Sequence, residues 1–544
     1  RLLASTGNGT ARMAAAAALT LLAATTLQSE KFYPDDPLWI VPKPRNVEKV
    51  KKRKLNDYYD FFLNTFGRPG NRHRPGEPIR ALSANTLGEV PDSEWYINRH
   101  AKKRMSLEEL ARGPNTGTGP SESGEWTIIS AKSQGITPGF LIKDATGARF
   151  FIKFDPVENP EMATAADVIG SKFFYALGYY VPQNYVVHFL RSRLRLAPNT
   201  AYRDSFGKRR EMHERDVDEI LRRVPRDENG RYRAVASLFL EGDVVGEFRY
   251  HGTRRDDPND IIPHEHRREL RGLFVFAAWL GHDDSRAINT LDMLVEADGR
   301  RFLRHHLIDF GSILGSASTS SNSARSGHEH LFDFKPSLLE VLSLGLWVPD
   351  WARVHYPDLP SVGRFECSIF DPERFKTEYR NPAFENRLPD DTYWAAKVVM
   401  SFTPDDIRAI VKTGEYSDPD AEKWIVDCLL VRRERIGRTY LAKVVPLENL
   451  AIREGRLVFD DLAVQYGFSK PREYGIQWFS LDNRSQQNTA VPGSGPAWPA
   501  ELRDPAATPY FGAVIRVPNQ QAALTAYFRH TPQGPRLVGV ERTW

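Results

Sequence analysis

Apolar and polar positions alternate in three runs between residues 126 and 154. Trp126–Ala131 is the first, Phe140–Asp144 the second and Arg149–Phe154 the third. Glycine-bearing turns at 132–139 and 145–147 separate them, so period-two alternation predicts three antiparallel strands. From Pro160 to Leu177 the period becomes helical. Ala165, Ile169, Phe173 and Leu177 form one stripe, and Gly178 ends it. Val181–Phe189 and Tyr232–Leu240 predict a fourth and a fifth strand, on either side of a charged insertion at 191–231 that holds a helix at His213–Val224. His264–Leu280 predicts a helix whose second half is apolar nearly all round and therefore buried. Further helical patterns cover Leu338–Leu346, Asp391–Phe402, Thr403–Thr413 and Ala421–Ala442. Short apolar runs then return at Leu457–Phe459, Tyr474–Phe479, Phe511–Val517, Leu524–Arg529 and Leu537–Val540. Loops rich in Pro, Gly and Ser lie between them, and a small β-sandwich accommodates the pattern.

Before residue 126 the pattern is irregular. Residues 31–125 are rich in Pro, Gly, Asn and charge and read as an extended arm around a neighbouring domain or a protein partner. Two short helices interrupt it, at Asn56–Leu63 and Ser106–Leu110, the second with Ser106 as cap and Glu109 three residues on. Arg12 followed by the alanine-rich run from Met13 reads as a secretory signal peptide, with a docked helix as the alternative. That run is too short for a stable membrane span. The chain thus divides into 1–30, the arm 31–125, a strand-rich part 126–242, a helical part 243–445 and an all-β part 446–544, an α+β chain of several domains.

Composition narrows the function classes. With 41% hydrophobic residues in 544, the chain can bury sizeable cores. A net charge of +4 gives no case for nucleic acid. The basic run Arg45–Lys54 reads as a solvated helix face. Two cysteines, Cys367 and Cys428, are too few for a metal cluster and read as buried small apolar residues; the sequence alone does not pair them. His264, Glu265 and His266 read as a solvated helix start, because residues two apart face away from each other on a helix.

The chemistry concentrates between Gly281 and Gly311. His282 precedes Asp284 by two positions, and Asn289 follows it by five. Two strand-like runs joined by a turn at 297–299 then lead to Asp309-Phe310-Gly311. The order His-x-Asp-x-x-x-x-Asn, hairpin, Asp-Phe-Gly resembles the catalytic core of the protein-kinase-like superfamily, in the manner of an atypical bacterial member. The resemblance covers about residues 126–445 and implies a two-lobed fold that binds ATP and Mg²⁺. It implies that Asp284 accepts the proton of an attacking hydroxyl, that Arg286 faces the transferred phosphate, and that Asn289 and Asp309 offer hard oxygen ligands to Mg²⁺. Lys153, a cation within an apolar strand alternation, falls where kinases hold the nucleotide phosphates. Glu161 is the candidate carboxylate for Lys153, with Asp167 as the alternative. Gly135 and Gly139 bracket the turn that would lie over the phosphates, and Glu241 marks the hinge where adenine would bind.

Two departures matter. The glycines do not follow Gly-x-Gly-x-x-Gly, and the Ser-rich segment 312–327, in the place of an activation segment, has no Ala-Pro-Glu after it. The acceptor is therefore unspecified. A signal peptide would also carry the chain away from cytoplasmic ATP. The rival expectation is a catalytically silent kinase-fold scaffold in an exported assembly, binding protein partners through 31–125 or 446–544.

Overall fold

The computed structural model describes residues 30–74, 76–131, 139–203, 209–334, 338–339, 342–343 and 348–544. The signal-peptide reading of 1–30, the turn with Gly135 and most of the helix expected at Leu338–Leu346 lie outside them. Two units emerge. The larger comprises 39–446 and 463–469; the smaller comprises 30–38, 447–462 and 470–544.

The larger unit opens with the arm. Its helices are α1 (Asp57–Phe62), capped by the Asn56 side chain, and α2 (Leu107–Arg112), closed by the expected Ser106–Glu109 capping box. The basic run 45–54 is not a helix. It is extended, with Val47 N–H donating to the Arg301 carbonyl at 2.8 Å and Arg53 N–H to the Val245 carbonyl at 2.7 Å. Unpaired backbone groups beside it supply bonds that composition cannot reveal.

The strand-rich lobe follows. Strands β1 (Trp126–Ala131), β2 (Gly139–Lys143) and β3 (Arg149–Lys153) precede helix α3 (Met162–Ala176) and strand β4 (Asn184–Phe189). The insertion adds β5 (Leu194–Leu196), the short pair β6 (Ala201–Arg203) and β7 (Arg209–Glu211), and helix α4 (Glu214–Leu221) before β8 (Tyr232–Leu238). The sheet runs β4-β8-β3-β2-β1-β5, antiparallel except for β1 against β5. Alternation decides its two faces. Phe150, Ile152 and Phe154 enter a core with Ile128, Phe140 and Ile142, while Phe151 and Lys153 point the other way.

Strand β9 (Asp243–Gly246) leads into the helical lobe, where it edges the hairpin of β10 (Thr290–Ala297) and β11 (Arg300–Leu307). Helix α5 (Arg268–Leu280) is buried at every position and packs among α6 (Pro382–Glu385), α7 (Pro389–Met400) and α9 (Pro419–Leu441). Between the last two lies α8 (Pro404–Val411), started by the Thr403 capping box. The architecture is a two-lobed α+β arrangement, a strand-rich lobe followed by a mostly helical one.

Two further local expectations change, at His264–His266 and at the cysteines. His264–His266 form a buried 3₁₀ turn rather than a solvated helix start. Arm residues bond to it: Asn71 N–H donates to Glu265 at 2.8 Å and Leu82 N–H to the His266 carbonyl at 2.9 Å. The segment after Gly311 is anchored, with Leu314 N–H on the Leu280 carbonyl at 3.0 Å and Ser316 fully buried. Cys367 and Cys428 form a disulfide, with Cα atoms 5.2 Å apart.

The smaller unit is an antiparallel β structure. Strands β12 (Leu447–Arg453) and β13 (Arg456–Asp461) form a hairpin. Strands β14 (Gly475–Asp482), β15 (Gln487–Ser494), β16 (Tyr510–Arg516), β17 (Ala523–Thr531) and β18 (Gly534–Arg542) form one sheet in the order β15-β14-β16-β17-β18. A single five-stranded sheet with a hairpin replaces the expected sandwich. Phe32 joins Phe479, Tyr527 and Val538 in its core, so the start of the arm belongs to this unit. Among the described residues no helix is long and apolar enough to cross a membrane.

Candidate active site

Strand β3 carries Lys153 on the face that looks away from the sheet's core. Its Nζ lies 2.7 Å from Asp167 Oδ2 on α3 and 2.9 Å from Asp309 Oδ1, just after β11. The carboxylate partner on the helix is Asp167, not Glu161. Helix α3 starts at Met162; Glu161 is its N-cap in the left-handed region, and its carboxylate accepts from Ser417 N–H at 2.9 Å instead. Asp167 is held in turn. Its Oδ1 accepts from Phe310 N–H at 3.0 Å, and its backbone carbonyl accepts from Asn184 Nδ2 at 3.0 Å. Ser237 Oγ donates to Asn184 Oδ1 at 2.6 Å across the β4–β8 pair. Burial disfavours charge on Lys153, but Asp167 and Asp309 outweigh it and hold the ammonium above the usual lysine value.

The loop after α5 sets the remaining groups. Gly281 ends the helix in the left-handed region, and the chain turns through His282 and Asp283 to Asp284. Asn289 Nδ2 donates to the Asp284 carbonyl at 2.8 Å, which fixes the orientation of the amide. Ile308 N–H donates to the Asn289 carbonyl at 3.0 Å and ties the loop to the start of the Asp309 turn. Arg286 Nε pairs with Asp284 Oδ1, and Ser312 Oγ donates to Asp284 Oδ2 at 3.4 Å. Burial pushes the Asp284 carboxyl up to about 6, against the opposing pull of Arg286. Burial likewise keeps the neighbouring His282 neutral, with its pKa lowered to about 4.

These groups share one cleft of about 850 Å³, whose lining includes Lys153, Asp284, Arg286, Asn289 and Asp309. Its apolar wall comes from Leu141, Phe151, Leu238, Phe239, Leu240 and Met293. Glu241 is exposed and outside this lining; Leu238–Leu240 form the wall at the hinge. Gly139 is also outside it, buried opposite Lys153 in the β2–β3 register. Gly135 lies outside the described residues. A separate hollow of about 790 Å³ in the helical lobe, lined by His328, Trp351, Glu366 and Arg432, contains none of the candidate residues.

Among the described residues, no group of three or more His, Cys, Asp or Glu side chains could hold a metal by itself. Asn289 and Asp309 are too few for an all-protein cage. They fit Mg²⁺, which commonly keeps waters and takes substrate phosphates to complete its octahedron.

Sequence reasoning did not find every group at this cleft. Asn184 and Ser237 carried only a weak signal, since their strands also hold His188 and Arg233. Lys52, Arg53 and Lys54 of the arm also line the cleft, and nothing in their composition pointed there.

No protein-family model matches the chain, and no curated protein matches it. Among solved structures it is similar to the Helicobacter pylori proinflammatory kinase CtkA, at 11% identity over 57% of this chain and 98% of that one, with a TM-score of 0.28. It is also similar to the Golgi casein kinase, at 11% identity over 74% of this chain and 97% of that one, with a TM-score of 0.23. The Golgi casein kinase with Mn/ADP bound gives 13% identity over 76% of this chain and 98% of that one, again with a TM-score of 0.23.

Proposed function

We propose that the chain is an ATP- and Mg²⁺-dependent phosphotransferase of atypical kinase type. The observation that carries this reading is the position of Lys153 Nζ between Asp167 and Asp309, in the same cleft as Asp284 and Asn289. One cation for phosphate, two oxygen ligands and one carboxylate of raised pKa are the parts that phosphoryl transfer needs. Lys153 orients the nucleotide phosphates, and Asp167 holds Lys153 in place. Asn289 and Asp309 hold Mg²⁺, which when bound neutralises phosphate charge. Asp284 accepts the hydroxyl proton as the acceptor oxygen bonds to phosphorus and the bond to the departing ADP oxygen breaks. Arg286 faces the phosphoryl group from the same loop.

The disulfide between Cys367 and Cys428 favours an oxidising compartment, consistent with export. ATP would then have to be present where the chain works.

A thermal-shift titration with ATP and Mg²⁺ tests the reading. A ligand at a hundred times its Kd adds about 2.7 kcal/mol to stability. The intact chain should respond, and Asp309→Ala should lose the response. An intact chain that does not respond would support the silent scaffold instead.

A further inference from the structure

The larger unit has another hollow, of about 1000 Å³, and it shares a wall with the cleft: Lys52, Arg53 and Lys54 line both. Its far wall is the segment from Arg249 to Asp256. Two of the lining guanidinium groups are already engaged. Arg254 donates to Asp292 at 3.0 Å and to the Lys51 carbonyl at 2.5 Å, and Arg53 donates to the Glu247 carbonyl at 2.7 Å. The one acidic residue of the lining, Asp256, accepts from Lys51 N–H at 2.8 Å and pairs with Arg254 at 3.1 Å. Lys51, Lys52, Lys54, Arg249 and Arg255 are the cations left to face the hollow. Asp60, outside the lining, is the carboxylate that Arg249 influences.

Two lining atoms show what is missing. Arg249 Nε and His251 Nε2 are buried and have no hydrogen-bond partner. Arg249 Nε is a donor buried without an acceptor, which is unfavourable, and an anion's oxygen would supply one; His251 Nε2 is a second such donor in the tautomer that carries its proton there. A concave wall of cations also concentrates negative charge at its mouth.

The hollow adjoins the chemistry. Phe248, next to Arg249, donates its N–H to Thr290 Oγ1 at 2.9 Å, and Thr290 directly follows Asn289. From the facing wall, Lys54 is three residues before Asp57, which bonds to Arg286 at 3.2 Å.

We propose that this hollow binds an anionic group, phosphate or carboxylate, of the acceptor molecule, so that the transferase acts on acidic acceptors; the acceptor role rests on the phosphotransferase reading, while the anion site does not. The test is calorimetric titration of the full chain, saturated with Mg²⁺ and ADP, with inorganic phosphate and separately with glutarate. Phosphate binding alone assigns a phosphorylated acceptor, and glutarate binding assigns a carboxylate-bearing one. In either case the Arg249→Gln/Arg255→Gln double variant should bind the anion at least tenfold more weakly, with its melting temperature checking that it is folded. If neither anion binds while ADP still raises the melting temperature, the anion site is wrong and the nucleotide reading stands. If an anion binds at the hollow but ADP has no effect, the acceptor role is overturned.

Discussion

Asp57 in the arm and Arg286 in the loop after α5, 229 residues apart in the chain, meet with Nη1 3.2 Å from Oδ2. Tyr379 Oη donates to the same Asp57 oxygen at 3.0 Å, and the Arg286 guanidinium lies 4.7 Å from the Tyr379 ring. Arg286 also pairs with Asp284. The arm thus helps to aim a cation of the candidate active site. Both partners are partly exposed, so Asp57→Ala should reduce stability by only about 0.2–1 kcal/mol. Its effect on phosphoryl transfer should exceed its effect on stability. A fall in kcat with nucleotide affinity unchanged would show that Asp57 positions Arg286; an unchanged kcat would remove the arm from the mechanism.

Asp167 and Glu161 make opposite predictions. Asp167→Asn takes the charge from a buried partner of Lys153 while keeping the shape. It should weaken transfer on the order of 10²-fold, as loss of a fixed electrostatic partner does. Lys153 keeps Asp309, so the stability loss should stay below about 3 kcal/mol. Glu161→Gln touches only the bond to Ser417 N–H and should leave the nucleotide response unchanged. Parallel ATP titrations of the two variants settle the assignment, and a larger loss in Glu161→Gln would reverse it.

These two carboxylates also show where the sequence stops being readable. A stripe through Ala165, Ile169 and Phe173 implies one buried face, yet α3 is buried at every position from Met162 to Phe174. Packing on more than one side erases the amphipathic pattern that would have separated Asp167 from Glu161. The strands β1, β2 and β3 were legible because one face is core and the other is not. By the same logic β15 was missed: seven of its eight positions are exposed, so its sequence does not alternate. His264–His266 and Arg45–Lys54 were misread because their surroundings come from distant segments, the arm in one case and β9 with β11 in the other. The Asp284, Asn289 and Asp309 spacing was legible because these groups sit on one loop and the hairpin that follows it.

The raised pKa of Asp284 gives a pH dependence with a definite sign. Only the ionised form accepts a proton, so kcat/KM should rise with unit slope below pH about 6 and level off above it. Stability runs the other way. The folded state raises this carboxyl from 3.8 to about 6, so it binds the proton more tightly than the unfolded chain. Its contribution is full below pH about 4 and is lost as pH rises through about 6. Asp284→Asn should lower kcat by about 10²–10⁴-fold and abolish the rise. A variant that retains the pH profile would exclude Asp284 as the base.

Gly170 allows Phe310 to dock. A Cβ at Gly170 would lie 2.5 Å from Phe310 Cβ and 2.8 Å from Ile313 Cδ1. Phe310 stacks on Phe174 with ring centroids 4.8 Å apart, and its own N–H reaches Asp167. Gly170→Ala gains about 1 kcal/mol of helix propensity, but overpacking costs about 1–3 kcal/mol. The expected net result is a modest loss of stability with a larger loss of Mg²⁺-dependent ATP response, because Asp309 adjoins the displaced ring. Equal nucleotide and metal affinities in variant and parent would show that the ring does not set Asp309.

The disulfide fixes the segment after the Ser-rich loop to α9. Cys367 and Cys428 are 61 residues apart, and the chain-entropy model gives about 4 kcal/mol for closing a loop of that length. Local bonds would survive reduction: Arg432 Nε donates to the Glu366 carbonyl at 2.8 Å and Arg432 Nη1 to the Ala278 carbonyl at 2.9 Å. The native arrangement should therefore persist without the bridge, at lower stability. A Cys367→Ala/Cys428→Ala variant should melt at a lower temperature than the oxidised chain, while ATP and Mg²⁺ still raise that temperature. Treatment with reductant should lower the melting temperature of the parent and leave the variant unchanged. Equal melting of the parent with and without reductant, or full thiol labelling before reduction, would show that the pair is not bridged and would withdraw its support for an oxidising compartment.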